Sequence, residues 1–264
     1  MSKRKALFFD IDGTLLSEVT KTVPESAKKA ISIARSLGHL VFINTGRSYG
    51  ETEQIHNIAE ADGWLCGCGT YVESEGNILL NRLMPAAQVR RIARLAVDSD
   101  ADIFLEGPGT CYYCSASGRM PFGQQLRSNF GKLVEWIAPE AVDEEVNKFC
   151  VLTDGQSDRT SFFRNLDLDI SVIDRGDGFY ECVPEGFSKA TAIDVVLKHY
   201  GLTLEDAYVF GDSTNDIAMF EHVPNAVLMG KHSPELEPYA SFLTKTVEQD
   251  GIWYAMEKLG LLQE

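Results

Sequence analysis

The chain has 264 residues, 44% apolar and 24% charged, with 39 acidic side chains against 24 basic ones for a formal net charge of -15. That length suits one large domain or a core carrying an insertion, and the balance allows a sizeable buried core. An acidic surface repels phosphate backbones and anionic lipid, which argues against nucleic-acid and membrane partners; a small anionic metabolite stays open, because a few buried cations dominate a small site.

In chain order, the basic start Met-Ser-Lys-Arg-Lys is followed by an apolar run that ends at Asp10. That run is too short for a secretory signal, and no stretch approaches the roughly 18 apolar residues of a membrane helix. The expected location is the cytoplasm. Ala6 to Phe9 reads as a buried strand, and Ala27, Ala30, Ile31, Ala34 and Leu37 recur at helical spacing between Pro24 and Gly38. Leu40 to Ile43 is a second strand, Tyr49 to Ala61 a second helix and Trp64 to Cys66 a third strand. Alternating units of this kind imply a parallel sheet covered on both faces.

The middle of the chain, from about Arg82 to Gly186, breaks that rhythm. It holds a helix (Ala87 to Val97), strand-like stretches (Ile103 to Glu106, Cys111 to Ser115, Phe149 to Thr153) and a hairpin turning at Arg175-Gly-Asp-Gly178. This is an α+β insertion. The alternation then resumes with a helix capped by Ser188 and ended by Gly201, a strand Ala207 to Phe210, a helix from about Asn215 to His222, short strands at Ala226 to Met229 and Phe242-Leu243, and a closing helix from Gly251 to Leu259.

Six cysteines include a CxC (Cys66, Cys68) and a CxxC (Cys111, Cys114), which raises a zinc site. Cys111-Tyr-Tyr-Cys114 has the character of a strand, where positions three apart face opposite sides, and no histidine stands at ligand spacing. Reduced, buried thiols are the expectation.

Three strands end in polar residues: Leu7 to Phe9 into Asp10-Ile-Asp12-Gly-Thr14, Leu40 to Ile43 into Asn44-Thr-Gly-Arg47, and Tyr208 to Phe210 into Gly211-Asp-Ser-Thr-Asn-Asp216. Ligands of open α/β sheets bind outside the carboxyl ends of the strands, so these endings form one site. It gathers Asp10, Asp12, Asp212 and Asp216. Two unit charges at ~4 Å repel by about 4 kcal/mol at an effective dielectric near 20, so the cluster needs a cation. Oxygen donors without histidine or cysteine favour a hard ion, and a phosphate setting favours Mg²⁺ over Ca²⁺. Lys189 stands in the first turn of its helix, where the dipole disfavours a cation. It reads either as facing an anion or as a solvated surface lysine, and Arg47 either as a phosphate clamp or as a salt-bridge residue.

Taken together and in order, these strings resemble the haloacid dehalogenase (HAD) superfamily, and within it the Cof-like sugar phosphatases with a type IIB cap. Asp10-Ile-Asp12-Gly13-Thr14 resembles the family's DxDGT motif, Thr45 in Thr-Gly-Arg its second motif, Lys189 in Gly186-Phe-Ser-Lys its third, and Gly211-Asp212-Ser-Thr-Asn215-Asp216 its GDxxND. Members commonly carry an Asn-Gly pair after the third strand; the matching stretch here is Cys66-Gly-Cys-Gly-Thr70, so that asparagine is missing. The resemblance implies an α/β, Rossmann-like core (1–81 and 187–264) with an inserted cap (82–186) that closes over the pocket and chooses the leaving group.

It further implies a phosphatase of small phosphorylated metabolites. Asp10 is the nucleophile and Asp12 the general acid/base, while Mg²⁺ is held by Asp10, the Asp12 carbonyl and Asp212. Asp216 stands behind them; Ile11, Thr45, Gly46, Asn215 and Lys189 meet the phosphate, and Arg47 has a substrate or structural role. A phosphomutase using the same intermediate and a catalytically silent metabolite-binding module stay open as alternatives, and a monomer is compatible with the sequence. For Tyr112, Tyr113, Phe122, Phe179, Arg119 and Arg175 in the insertion, ordinary packing and surface exposure are expected.

Overall fold

A computed structural model describes residues 3–52, 60–130 and 134–263, with the backbone alone for residues 52 and 126–130. The chain forms two compact units: Met1–Arg47, Thr52–Leu80 and Ser188–Glu264 make the first, Ser48–Glu51 and Asn81–Phe187 the second.

In the first unit the apolar runs become strands β1 (Ala6–Phe9), β2 (Leu40–Asn44) and β3 (Gly63–Cys66), every residue of them buried. Strands without polar alternation are what a sheet covered on both faces requires. β1 pairs in parallel with β2, and β2 with β3. Helix α1 (Glu25–Ser36) buries Ala27, Ala30, Ile31 and Ala34 of the expected stripe, while Leu37 falls just past its end as the half-buried C-cap residue.

The expected second helix, Tyr49 to Ala61, differs. Tyr49–Thr52 is a turn of 3-10 helix, Glu60 and Ala61 are irregular, and the stretch between falls outside the described residues. After β3 the sheet continues through β4 (Tyr71–Ser74), antiparallel to β3, and β5 (Asn77–Asn81), both absent from the sequence reading. Both mix polar with apolar residues, and β5 is exposed or half-buried throughout although β4 is mostly buried, so neither stands out as an apolar run. The turn between them has positive φ at Glu75 and Gly76, as a tight hairpin demands.

The second unit holds helix α2 (Ala86–Asp98), strands β6 (Asp102–Glu106) and β7 (Cys111–Cys114), helix α3 (Pro121–Phe130), β8 (Val134–Trp136), β9 (Lys148–Leu152), helix α4 (Arg159–Asn165), β10 (Ile170–Asp174) and β11 (Phe179–Pro184). Its six-stranded sheet runs β10-β11-β9-β6-β7-β8, with β7 and β8 parallel and the pairs from β10 through β7 antiparallel. Period-2 alternation sorts the side chains by face. Ile103, Leu105, Phe149 and Val151 join Val89, Ile92 and Phe162 of α2 and α4; Phe104, Tyr113, Cys150 and Leu152 join Met120 and Val134. Cys111 and Cys114 fall in different clusters, all six cysteines are buried, and none is in a disulfide. Tyr113 lies against Trp136, Phe122 against Phe179, and Arg119 pairs with Asp100 and Asp154, which is packing and surface pairing.

The chain returns to the first unit with α5 (Lys189–Tyr200), β12 (Ala207–Gly211), α6 (Ile217–His222), β13 (Ala226–Leu228), β14 (Phe242–Leu243) and α7 (Gly251–Lys258). β12 pairs in parallel with β1, and β13 and β14 extend that side, giving the order β14-β13-β12-β1-β2-β3-β4-β5. Strand order therefore reverses at β1, with Phe8 and Phe42 stacked beneath α5 residues Ala192, Ile193 and Val196. Each fully buried side chain of that size contributes roughly 1.5–3 kcal/mol. No helix among the described residues is long and apolar enough to cross a membrane.

Candidate active site

β2, β1 and β12 are adjacent and parallel, so their carboxyl ends, and the polar residues that follow each, share one sheet edge beside the reversal. The Asp10 amide extends the ladder by donating to the Phe210 carbonyl at 3.0 Å, which ties the first polar residue after β1 to the end of β12. Gly13 follows with φ +82, a conformation open to glycine at little cost, and a Cβ there would collide with the Asp212 carboxylate. The Thr14 hydroxyl donates to Asp212 Oδ1 at 2.9 Å.

Lys189 stands at the centre. Ser188 caps α5 through a reciprocal pair of bonds with Thr191, so Lys189 opens the helix. Its side chain is fully buried, with Nζ 2.6 Å from both Asp10 Oδ1 and Asp216 Oδ1 and 3.4 Å from Asn215 Oδ1. The solvated reading of Lys189 is thereby excluded; the residue that conflicts with its helix dipole meets two anions. Asp216 Oδ2 in turn accepts from the amides of Asp212 (2.9 Å) and Ser213 (3.1 Å), and the Asn44 side-chain amide donates to the Lys189 carbonyl at 3.0 Å.

The remaining candidates lie in the neighbouring loops. The Asp12 carboxylate is half exposed and held by Arg47 through a bidentate pair, Nε to Oδ2 at 2.9 Å and Nη2 to Oδ1 at 2.6 Å. Thr45 is buried; its hydroxyl accepts from the Arg47 amide at 3.1 Å, and its amide donates to the Leu65 carbonyl at 2.8 Å. Gly46 lies between them. The Ile11 carbonyl accepts from Thr14 (3.3 Å) and Leu16 (2.7 Å), closing the loop after β1. The Cys66-Gly-Cys-Gly-Thr70 stretch forms a buried 3-10 turn behind this loop: Gly67 donates to the Arg47 carbonyl (2.7 Å), Cys68 to that of Thr45 (3.2 Å), and Gly69 packs against Ser188.

Two residues with direct bonds to this cluster, Thr14 and Asn44, are absent from the sequence-based list. Thr14 belongs to the string that carries Asp10, and Asn44 is an amide at the end of an otherwise apolar strand. A buried polar side chain in such a place needs a partner, and that was the available signal.

Burial pushes the Asp10 carboxyl up to about 7, with Asp216 and Asp12 adding to the rise and Lys189 opposing it. Burial likewise pushes Asp212 up to about 8, reinforced by the charges of Asp10 and Asp216 and opposed by the Thr14 hydrogen bond and Lys189. For Lys189 burial works against its charge, but Asp10 and Asp216 outweigh it and hold it protonated. One carboxylate oxygen each from Asp10, Asp212 and Asp216 lie within 4.8 Å of one another. Two strained carboxyls, an oxygen-only donor set and that spacing fit a hard divalent cation.

The sign of the resulting pH dependence follows directly. Unfolded, Asp10 and Asp212 titrate near 3.8, whereas folded they hold protons up to about 7 and 8. The fold binds the extra protons, so stability present in acid is lost as pH rises through that window. The melting temperature of metal-free protein should therefore fall between pH 5 and 8.5, less steeply in Asp212→Asn. Mg²⁺ should restore it most at the alkaline end. A metal-free melting temperature that climbs across the window would contradict this electrostatic picture.

The family described as haloacid dehalogenase-like hydrolase matches residues 7–256. YkrA of Bacillus subtilis (strain 168), provisionally a phosphatase by name, is 29% identical over 98% of this chain and 99% of its own length. A structure of a hypothetical protein from Geobacillus kaustophilus HTA426 superposes with a TM-score of 0.84 at 28% identity, covering 98% of this chain and 100% of that one. A HAD subclass IIB sugar phosphatase shares the fold with a TM-score of 0.82 at 24% identity, over 97% and 99% of the two chains. The chain belongs to the haloacid dehalogenase-like hydrolases, with the Cof-type fold.

Proposed function

We propose that this protein is a Mg²⁺-dependent phosphatase that hydrolyses small phosphorylated metabolites, sugar phosphates or similar, through a phospho-aspartate on Asp10. The observation that carries the reading is Lys189, fully buried and 2.6 Å from both Asp10 and Asp216 at the edge where strand order reverses. The relatives that carry phosphatase names support the same class.

Asp10 Oδ attacks phosphorus, and the P–O bond to the leaving alcohol breaks. Asp12 gives that oxygen its proton. A water then attacks the phosphorus of the acyl phosphate, losing a proton to Asp12, and Asp10 is released with free phosphate. Asp10, Asp212 and the Asp12 carbonyl would hold the cation, with Asp216 behind them; when bound, it neutralises charge between an anionic nucleophile and an anionic substrate. Lys189 and Asn215, the Thr45 hydroxyl and the amides of Ile11 and Gly46 receive the phosphate oxygens. Arg47 orients Asp12 through its fork. The segment 82–186 acts as the cap that selects the leaving group, and the working location is the cytoplasm.

The test is release of inorganic phosphate from p-nitrophenyl phosphate and from a panel of hexose, sugar-alcohol and cofactor phosphates, with Mg²⁺ and with chelator. Phosphate release that stops with chelator is expected. Phosphate that moves to a second sugar instead would make the protein a mutase, and release indifferent to chelator would remove the metal from the scheme.

A further inference from the structure

Ser48–Glu51 packs with the second unit although the chain on either side of it, through Arg47 and from Thr52, belongs to the first. The segment is closed on itself: the Glu51 amide donates to the Ser48 carbonyl (3.1 Å), and Glu51 Oε2 accepts from the Ser48 amide (2.9 Å) and hydroxyl (3.0 Å). Gly50 lies against Gly109, where a Cβ would come within 3.3 Å of the backbone.

Buried Glu106, at the end of β6, is under the influence of the Glu51 charge. Burial, foremost, and the charge of Glu51 raise Glu106 well above the ordinary range against the pull of Lys148. Glu106 further accepts from the Cys150 thiol (3.0 Å) and pairs with buried Lys148 (3.1 Å). Lys148 reaches Glu181 (3.0 Å), which Arg175 also holds (2.8 Å). A buried ionic network is weak evidence for stability, since apolar packing of equal volume often serves as well.

The Ser48–Glu51 turn itself fixes the amide on one side of the Arg47–Ser48 peptide bond. The Arg47 carbonyl accepts from Gly67 and the Arg47 amide donates to Thr45, while the next amide, that of Ser48, is fixed by Glu51. The root of the Arg47 side chain is therefore anchored from both directions, and its fork ends on Asp12. We infer that Glu51 is a positioning residue for phosphoryl transfer: by fixing the Ser48 amide it sets the direction from which Arg47 grips Asp12, and so the aim of the acid/base. This rests on the reading of Asp12 given above. A misplacement near 1 Å in such a group costs up to about a hundredfold in rate.

The experiment compares kcat for Glu51→Ala, Glu51→Gln, Arg47→Ala and the double variant Arg47→Ala/Glu51→Ala on p-nitrophenyl phosphate with Mg²⁺. Glu51→Ala should lose on the order of tenfold. Glu51→Gln, whose amide oxygen still accepts from Ser48, should keep most of the rate. In the Arg47→Ala background the Glu51→Ala change should cost nothing further; losses that multiply overturn the inference. Should Glu51→Ala fail to fold, the space-filling Glu51→Leu carries the same comparison.

A second readout is independent of turnover. The ¹⁵N-labelled Arg47 Nε–H resonance, assigned by its disappearance in Arg47→Lys, should move and exchange faster in Glu51→Ala but not in Glu51→Gln. An unmoved resonance overturns the positioning role whatever the activity. Wild-type protein without Mg²⁺-dependent phosphate release would instead defeat the phosphatase reading and leave the resonance to decide whether Glu51 orients Arg47.

Discussion

Asp10→Asn should lower Mg²⁺-dependent turnover of p-nitrophenyl phosphate by about 10⁴-fold or more while the fold persists. An amide of the same shape cannot attack phosphorus, and the two-step route closes with it. The protein itself should tolerate the change. Asparagine fills the volume of a 4% exposed residue, and Lys189 retains Asp216 as its partner. One negative charge also leaves a cluster in which Asp10 helps push Asp212 up to about 8, so metal-free Asp10→Asn should melt no lower than wild type at pH 8. Acid quenching of wild type during turnover should trap hydroxylamine-labile phosphate on the protein, and the variant should carry none. Wild-type rates in Asp10→Asn would remove the proposed nucleophile.

The second large effect belongs to Lys189→Met, and it should appear in stability as much as in rate. Methionine keeps the stem but removes the ammonium that stands 2.6 Å from two buried carboxylates. Breaking a buried ion pair from one side costs about 3–5 kcal/mol, because the charge left behind has neither water nor partner. For a chain of this size that corresponds to a melting temperature lower by roughly 10 °C. The loss should be largest in metal-free protein near pH 8. It should shrink near pH 5, where Asp10, raised to about 7, and Asp212, raised to about 8, are protonated. With phosphate oxygens also deprived of a donor, kcat should fall by about 10²–10³. Scanning calorimetry at both pH values separates the two effects. A pH-independent penalty would mean that packing, not charge, is the main contribution of Lys189.

Much of this site was legible because its residues break local rules. Asp10 ends an apolar strand, and Lys189 opens a helix against the dipole; each conflict is visible within a few residues. The parallel strands were legible for the complementary reason, since β1, β2 and β12 are buried runs without alternation. What escaped notice depends on distant partners. Thr14 and Asp212 are 198 positions apart, Asn44 and Lys189 145, and one-to-one hydrogen bonds leave no periodic trace in a sequence. The hairpin of β4 and β5 escaped because YVES and NILLN each mix polar and apolar residues, so neither reads as an apolar run. The return of Ser48–Glu51 to the other unit escaped because neither its composition nor its spacing differs from an ordinary turn.

The burial of all six thiols has a practical consequence. Burial raises Cys111, Cys150 and Cys182 well above the usual thiol range and Cys114 to about 12, so at neutral pH these sulfurs stay protonated and poorly nucleophilic. A cysteine introduced on the exposed surface, at Leu168 for example, would then be the fastest site for maleimide chemistry. A spectroscopic probe or surface tether can thus be attached without first stripping the native cysteines from the chain.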